Sequence, residues 1–320
     1  MPEQQRQRPF ISIVAPFYNE SEALGRFFEV MGPVLAGVEC RGYEIVCVND
    51  GSRDDSLAKL IAVSNMDTHV RVVDLSRNFG KEAALTAGID AARGDVVIPI
   101  DSDLQDPPGL IEVMLEEWAK GADVVLAKRA DRSSDGYLKR RTAELFYRVH
   151  NHLSDIDIPE NVGDYRLMDR TVVDALKQLP ERRRFMKGLF AWVGFNTVTV
   201  EYVREARVAG QSKFSGWKLW NFAIEGITSF STAPLRVTTY VGLVISLAAF
   251  AFALYIILRT LIHGVDWPGY SSLIVVILFM GGVQLISIGL VGEYVGRIYM
   301  ESKQRPIYIV RRVYERKQDA

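Results

Sequence analysis

Few residues in this chain are able to hold zinc or to form disulfide bonds. The 320 residues include two cysteines and four histidines. Cys40 and Cys47 lie before and inside an apolar segment, so we expect them to be small core residues in a reducing compartment. With two thiols and no histidine cluster, the composition argues against a zinc site.

The chain also lacks an excess of charge of either sign. It carries 38 lysines and arginines against 39 aspartates and glutamates, and its formal net charge is −1. This balance argues against nucleic acid as a partner. The first ten residues, MPEQQRQRPF, are polar. Because no apolar signal segment occurs there, we expect the first part of the chain to stay in the cytosol.

Charge is absent from two long stretches near the C-terminus. Residues 237–258 and 271–291 contain no charged side chain, and Gln284 interrupts the second stretch. A helix of about 22 residues spans roughly 33 Å, against a hydrocarbon core of about 30 Å, so two transmembrane helices are predicted. The loop HGVDWPGY between them has no lysine or arginine, whereas basic residues flank both outer ends. The positive-inside rule therefore places both ends in the cytoplasm.

A segment with two tryptophans precedes the first apolar stretch. In SGWKLWNFAIEGITSF, Trp217, Trp220 and Ile224 recur at three- and four-residue spacing, and Lys218 takes another face. This pattern predicts an amphipathic helix in the membrane interface, where tryptophan is favoured. An ordinary helix packed on a protein core is the alternative.

The first part of the chain alternates apolar strands with helical segments. Strands are predicted at residues 11–15, 43–48, 70–75, 95–100, 123–127 and 197–203. Helices are predicted at residues 20–35, 56–65, 81–92, 110–120, 170–179 and 184–192. Runs of valine and isoleucine suit strands buried on both faces of a mostly parallel sheet. The alternation predicts an α/β doubly wound, Rossmann-like domain, in which ligands bind beyond the carboxyl ends of the strands.

Polar motifs follow the first four predicted strands. They are APFYNE at 15–20, NDGSRDDS at 49–56, LSRNFGKEAALTAG at 75–88 and DSDLQDPP at 101–108. In the last motif, Asp101 and Asp103 are carboxylates one residue apart, able to share a hard divalent cation that neutralises a diphosphate. Gln105 offers a neutral oxygen ligand. An isolated pair of this kind is also compatible with a solvated acidic turn.

The second motif holds two further candidates. Asp50 is placed to accept hydrogen bonds from a base or a ribose, and Gly51 permits a tight turn against a ligand. Residues 52–56 also fit the N-terminal cap of a helix, and the two interpretations are compatible.

The four motifs in this order resemble glycosyltransferase family 2, whose catalytic domain has the GT-A fold. The resemblance covers residues 11–202. With the predicted hairpin, the whole chain is similar to polyprenyl-phosphate glycosyltransferases, of the bactoprenol glucosyltransferase and dolichyl-phosphate mannose synthase types. The segments GDYRLMDR, RFMKGLFAWVGF, GQSKFSGWKL and GEYVGRIY also resemble that subgroup. Mannose synthases usually differ at GDYRL, which favours the glucosyl type.

The resemblance implies roles for the residues that match the family. The nucleotide-sugar contacts it implies are Pro16, Tyr18, Glu20, Asp50, Lys81 and Asp101. The ligands it implies for Mg²⁺ or Mn²⁺ are Asp101, Asp103 and Gln105. The catalytic residues it implies are Asp103, Arg129 and Asp164, with Arg129 at a phosphate-binding position.

Four basic residues are assigned to the acceptor phosphate: Lys139, Arg140, Arg207 and Lys213. Arginine and lysine both suit phosphate oxygens. A solvated helix face is the alternative for residues 139–141, and anchoring to the membrane is the alternative for Arg207 and Lys213. Asp164 is expected either to act as a general base or to position sugar or acceptor. Positioning is favoured, because a phosphate monoester is already an anion at neutral pH.

The expected organisation is a cytosolic GT-A domain at 1–209, an interfacial segment at 210–234, a transmembrane hairpin at 235–296 and a basic tail at 297–320. The expected reaction transfers a hexose to undecaprenyl (polyprenyl) phosphate at the cytoplasmic face of the inner membrane, by metal-dependent inverting displacement. UDP-glucose is the first choice of donor, before UDP-GlcNAc, UDP-galactose and GDP-mannose.

The expected partners are the nucleotide-sugar, the polyprenyl phosphate, the lipid bilayer and further copies of the chain. Gly292 and Gly296 form a small-xxx-small pair that suits a helix contact. A transport subunit is a competing hypothesis, but two helices without interior charges make a poor translocation path. A binding module with a decayed site conflicts with the presence of both Asp101 and Asp103. A processive polysaccharide synthase would need a longer helical channel.

Overall fold

The computed structural model describes the alternating α/β part of the chain and the C-terminal helices. The described residues are 8–130, 162–179, 181–182, 184, 186–202, 233–263 and 269–316. Residues 210–232 of the predicted interfacial segment at 210–234 lie outside the described residues.

An eight-stranded sheet forms the centre of the fold, in the order β7-β5-β6-β4-β1-β2-β3-β8. The strands are β1 Phe10–Phe17, β2 Gly42–Asn49, β3 Val70–Leu75, β4 Val96–Pro99, β5 Val124–Arg129, β6 Val162–Asp169, β7 Thr197–Tyr202 and β8 Val310–Tyr314. The helices are α1 Leu24–Gly37, α2 Ser56–Met66, α3 Lys81–Ala91, α4 Leu110–Ala119, α5 Arg170–Lys177, α6 Met186–Trp192, α7 Ala233–His263 and α8 Tyr270–Ser302.

The central strands are buried on both faces, as their apolar sequences predict. β1 pairs in parallel with β2 and β4, and Ile13 lies between Ile45 and Ile98. One face of the sheet packs against α1 and α4 through residues such as Phe27 and Trp118. The other face packs against α3 and α5. The helices on both faces confirm the predicted α/β layering.

Strand β6 is missing from the strands predicted from the sequence. β6 pairs antiparallel with both β4 and β5. Its polar residues are paired inside the protein: the indole N–H of Trp118 donates to Asp169 at 2.8 Å, and the Arg166 guanidinium lies 4.0 Å from the Phe190 ring centroid. Because these residues are polar, the apolar pattern of a buried strand is interrupted, and β6 was not predicted from the sequence. The sheet is consequently mixed.

Strand β8 differs from the prediction of a separate basic tail at residues 297–320. Helix α8 continues to Ser302, and β8 then pairs antiparallel with β3, with Val310 opposite Leu75. The Ser76 amide donates to the Ile309 carbonyl at 2.8 Å. Charged side chains such as Arg311 suit an exposed edge strand. The chain therefore returns from α8 into the sheet at the carboxyl end of β3.

Helices α7 and α8 have 31 and 33 residues and cover both predicted apolar stretches. Among the described residues, Phe279–Ser302 is the one stretch that is long and apolar enough to cross a membrane. A shorter apolar run, Tyr240–Phe252, lies in α7. Both membrane crossings stay predictions.

The loops at the carboxyl ends of β1, β2 and β3 are bonded to one another. The Asn19 amide donates to Ser52 Oγ at 3.1 Å. Asp50 accepts from the amides of Phe79 at 2.7 Å and Gly80 at 3.0 Å. Gly51 has a φ of +64°, and a Cβ there would overlap the backbone at Arg77 and Asn78. These contacts fix the loop that leads into α3.

We expect Gly51→Ala to destabilise the protein by about 3 kcal/mol, because the new Cβ meets rigid backbone and the left-handed φ is strained. Gly25→Ala is the matched control, since a Cβ at Gly25 in α1 meets nothing within 4 Å. The control should leave stability unchanged or raise it by up to about 1 kcal/mol. Thermal unfolding of the two variants measures the difference. Equal stability of the two variants would contradict the close approach at Gly51.

Candidate active site

The candidate residues gather at one edge of the sheet. The parallel strands β1, β2, β3 and β4 all end there, so the four polar motifs lie side by side. β5 runs in the same direction and ends at Arg129. Because β6 runs antiparallel, its beginning lies at the same edge, and this brings Asp164 to the loops after β3 and β4.

Lys81 joins two of the predicted site residues directly. Its Nζ lies 2.7 Å from Asp101 Oδ1 and 2.9 Å from Asp164 Oδ2. Lys81 begins α3, directly after Gly80, whose amide is held by Asp50. The loop contacts that involve Asp50 therefore also place the lysine. The sequence assigned Lys81 and Asp101 to the nucleotide-sugar, and the structure adds the ion pairs that link them to Asp164.

The charges in this cluster stabilise one another. Burial opposes the charge of Lys81, but Asp164 and Asp101 raise its pKa above the ordinary value. Burial also opposes the charge of Asp164, yet Lys81 and then Lys187 bring its pKa below the ordinary value. Asp164 is consequently an anion at neutral pH and a weak base. This favours the positioning role over the general-base role.

The site contains more negative than positive charge. Burial, with repulsion from Asp164 and Asp103, raises the pKa of Asp101, although Lys81 opposes the shift. Burial, Asp103 and Asp101 also raise the pKa of Glu20 against the effects of Ser102 and Lys81. The Oδ1 atom of Asp164 is buried and has no hydrogen-bond partner among the described residues. These features suit an additional cation.

The donor set fits a divalent cation that is shared with a diphosphate. Among the described residues, no group of three or more His, Cys, Asp or Glu is arranged to hold a metal by itself. Mg²⁺ is commonly held by one or two carboxylates, with phosphate and water oxygens completing the shell. The sequence assigns these two carboxylates to Asp101 and Asp103, and this assignment stays a prediction. The Gln105 side-chain amide donates to Asp103, and its role as a ligand stays a prediction.

Side chains from β6 and β7 hold the loop after β4. The Tyr165 hydroxyl donates to the Pro107 carbonyl at 3.0 Å, and the Tyr202 hydroxyl donates to Asp106. Leu104 has a φ of +48°, a left-handed conformation that costs free energy for a residue with a Cβ. The two tyrosines tie this strained loop to the sheet, and so fix the backbone between Asp103 and Gln105.

The nucleotide-sugar contacts predicted in the first two motifs lie in different surroundings. Tyr18 is 42% exposed at the end of β1, beyond Pro16, whereas Glu20 accepts from the Ser102 hydroxyl and therefore lies beside the acidic cluster. Asp50 is 3% exposed. Its contact with a base stays a prediction. In the structure its carboxylate accepts hydrogen bonds from the loop before α3.

Glu82 and Lys187 belong to the site although the sequence interpretation missed them. Glu82 accepts from the Met186 amide at 3.2 Å, which joins the start of α3 to the start of α6. Burial and then repulsion from Asp164 raise the pKa of Glu82 to about 7. Lys187 acts electrostatically on Asp164. The available signal for Glu82 was its position, next to Lys81 in the first turn of a helix that follows a strand.

The remaining predicted residues are only partly described. Arg129 lies opposite Tyr202 in the β5–β7 pair, at the site edge of the sheet. Its contact with a phosphate stays a prediction. The four residues assigned to the acceptor, Lys139, Arg140, Arg207 and Lys213, lie outside the described residues.

Comparison with known families agrees with this geometry. Residues 12–177 match the model of glycosyl transferase family 2, and residues 233–298 match that of the GtrB C-terminal hairpin. The chain belongs to glycosyl transferase family 2. This confirms the resemblance found in the motifs, the enzyme class and the GT-A-like fold.

Three proteins of similar length show the extent of the match. A bactoprenol glucosyl transferase of Shigella phage SfV is 56% identical over 94% of this chain and 98% of its own. A prophage bactoprenol glucosyl transferase homolog of Escherichia coli K12 is 54% identical over 95% and 99%. An uncharacterised glycosyltransferase of Synechocystis is 54% identical over 94% of both chains. The similarity therefore extends over nearly the whole chain.

Solved structures resemble this glycosyltransferase more distantly. Glucosyl-3-phosphoglycerate synthase from Mycobacterium tuberculosis, solved with Mn²⁺, UDP-glucose and phosphoglyceric acid, is 20% identical with a TM-score of 0.47. The match covers 71% of this chain and 81% of that one. A likeness of this size carries no argument about residues or ligands.

The raised pKa of Glu82 predicts a pH-dependent stability. The folded pKa of about 7 exceeds the reference value of 4.5. The contribution of Glu82 to the free energy of unfolding is therefore fully present below pH 4.5 and is lost as the pH rises through about 7. We expect Glu82→Gln to unfold at a higher temperature than the native chain at pH 8, by the equivalent of up to roughly 3 kcal/mol. At pH 5 the two proteins should unfold at nearly equal temperatures.

Glu29→Gln, an exposed carboxyl on α1, is the matched control and should shift the unfolding temperature equally at both pH values. Thermal unfolding of both variants at the two pH values is the measurement. An effect of Glu82→Gln that does not change with pH would show that Glu82 is ionised normally in the folded enzyme.

Proposed function

We propose that this glycosyltransferase transfers glucose from UDP-glucose to a polyprenyl phosphate at the cytoplasmic face of the membrane. The observation that carries the proposal is the identity of 54–56% to bactoprenol glucosyl transferases along almost the whole chain. The similarity includes both parts that such a reaction needs, an acidic sugar-nucleotide site and an apolar hairpin. The acceptor is a lipid, so the two parts act together.

The donor is proposed to bind across the loops after β1, β2 and β4. Tyr18, exposed at the end of β1, is available for the nucleotide base, together with Pro16. Asp101 and Asp103 face the diphosphate through a divalent cation, Mg²⁺ or Mn²⁺, which when bound stabilises the negative charge of the leaving nucleoside diphosphate. Lys81 contributes a fixed positive charge beside the same group, since its Nζ already lies against Asp101.

The acceptor phosphate is proposed to act as the nucleophile without a strong base. Its oxygen is already anionic at neutral pH. Asp164, held as an anion by Lys81 at 2.9 Å, is placed to orient the sugar or the acceptor. Glu82 holds α6 through the Met186 amide, and Lys187 follows in that helix. The lysine brings positive charge to the side of the site where an anionic acceptor approaches.

The hairpin is proposed to hold the enzyme in the membrane with two crossings. Contacts of the sheet domain with α8 and with the segment after it support a fixed arrangement. The Arg182 amide donates to the carboxylate of Glu301 in α8 at 2.9 Å, and the hydroxyl of Tyr308, between α8 and β8, donates to Asp90 at 2.7 Å. Arg182 lies four residues before Met186, which contacts Glu82 in the site. The end of α8 therefore contacts a segment that lies next to the candidate active site. A homo-oligomer and an inner-membrane location belong to the same proposal.

Asp103→Asn should lower glucose transfer at least 100-fold, because it removes one of the two carboxylates that hold the cation. The assay mixes the purified full chain with UDP-glucose, Mn²⁺ or Mg²⁺ and polyprenyl phosphate, and follows UDP release. Glu29→Gln, which makes the same chemical change on an exposed face of α1, should keep the native rate. Native activity in the presence of excess chelator would contradict the metal assignment.

The donor is tested in the same assay with UDP-GlcNAc, UDP-galactose and GDP-mannose in place of UDP-glucose. A faster reaction with one of these would replace glucose in the proposal and leave the reaction class intact.

A single displacement predicts inversion at the anomeric carbon. UDP-glucose carries an α-linked glucose, so direct attack by the phosphate oxygen should give a β-linked lipid-phosphate sugar. Proton NMR of the purified product distinguishes the two anomers by their coupling constants. An α-linked product would exclude direct displacement and require a different mechanism.

A further inference from the structure

A second cavity lies at the opposite edge of the sheet from the candidate active site. It has a volume of about 540 Å³ and is bordered by the starts of β1 and β2, by the segments that precede β3 and β4, and by the residues after β8. The parallel strands begin at this cavity, and their carboxyl ends form the candidate active site. A ligand in this cavity would therefore be separated from the donor site by the length of the sheet.

Positive side chains dominate the lining of this second cavity. Four arginines line it, Arg41, Arg71, Arg93 and Arg316. The carboxylates among its lining residues are Glu44 and Glu315. The lining side chains thus carry more positive than negative charge, which favours an anionic ligand. Asp95 and Asp67 lie outside the lining and contact Arg41 and His69 at 2.9 Å and 2.8 Å.

Glu44 is neutralised by partners inside the protein. It is 7% exposed, and its Oε1 accepts from the Ser12 hydroxyl at 2.6 Å and from the Arg93 amide at 2.7 Å. Arg71, also 7% exposed, lies 3.2 Å from its Oε2. The Nε of Arg71 is buried and has no hydrogen-bond partner among the described residues. The inner wall is therefore a rigid, prebuilt polar network.

The outer arginines are available to a ligand. Arg93 pairs with Glu315 at 3.2 Å, and their side chains are 62% and 43% exposed. Arg41 pairs with Asp95 at 2.9 Å and is 59% exposed. The Asp95 side chain is 19% exposed, so the Arg93–Glu315 pair is the one with both partners exposed. Exposed ion pairs contribute little to stability, so a ligand with two or more negative charges can replace Glu315 beside Arg93. Arginine is well suited to phosphate because its guanidinium donates two parallel hydrogen bonds.

A pair of aromatic rings completes the lining. Tyr43 and His69 both line the cavity, and their rings stack with centroids 4.4 Å apart and an interplanar angle of 19°. A flat ring of a ligand can extend such a stack. The arginines and the stacked rings together match a molecule that combines phosphate with a planar heterocycle.

We propose that this second cavity binds a nucleoside phosphate. Arg93 and Arg316 hold the phosphates, and the base lies against the Tyr43–His69 stack. Glu315 and Arg316 directly follow β8, so the bound ligand contacts the end of the strand that returns from α8. The proposal is independent of the glucosyl transfer proposed above.

The test measures binding of UDP, ADP and inorganic pyrophosphate to the full chain in detergent, by calorimetry in the presence of EDTA. Chelation removes cation-dependent binding at the donor site, whereas arginines need no metal. We expect UDP or ADP to bind under these conditions, and the double variant Arg93→Ala, Arg316→Ala to weaken that binding at least tenfold. Arg26→Ala, an exposed arginine on α1, is the matched control and should bind like the native chain.

The first three results that would overturn the proposal concern the nucleotides and the arginine variant. They are the absence of nucleotide binding in EDTA, equal affinity in the native chain and the double variant, and pyrophosphate binding as tight as that of both nucleotides. Asp103→Asn should leave the metal-independent binding unchanged, and loss of this binding in Asp103→Asn would assign it to the donor site instead. Unfolding temperatures of all variants, measured in parallel, identify any variant that fails to fold, and Arg93→Lys then takes its place.

Discussion

The site depends on one ammonium group held between two carboxylates. Lys81 Nζ contacts Asp101 and Asp164 at once, and each of these partly buried acids would otherwise carry an uncompensated charge. Burial makes such a cluster costly unless its charges are paired. The lysine compensates part of the negative charge, and Glu20 and Asp103 add more at the same edge. The result is a preorganised, acidic site with the Lys81 ammonium group at its centre. Its carboxylates still outnumber its positive charges.

The rest of the domain positions those three side chains. β4 delivers Asp101 at its carboxyl end, and the antiparallel course of β6 brings Asp164 to the same edge from the opposite direction. Asp50 and Gly51 fix the loop that precedes Lys81. β8 closes the outer edge of β3 and connects the sheet with α8. A glycosyltransferase with a lipid acceptor needs this connection, because donor site and acceptor phosphate must meet at a fixed distance from the membrane.

The sequence predicted the regular part of this arrangement and missed the irregular part. Valine- and isoleucine-rich strands such as β1 follow from hydrophobic periodicity, and Asp101 follows from its place after a strand. β6 was missed because Arg166 and Asp169 are polar, and their burial is compensated by Phe190 and Trp118, which are distant in sequence. β8 was missed because its arginines suit a solvated tail and an edge strand equally well. Pairing between distant segments depends on the tertiary structure, and the residue pattern within one segment does not predict it.

The central claim is that the acidic cluster around Lys81 takes a divalent cation together with the donor diphosphate. Crystals of the full chain with UDP-glucose and Mn²⁺, measured at the manganese absorption edge, test it most directly. The account predicts one anomalous peak in contact with the carboxylates of Asp101 and Asp103 and with diphosphate oxygens. A manganese ion bound away from both aspartates, or a bound donor without any ion in an enzyme that still turns over, would contradict it.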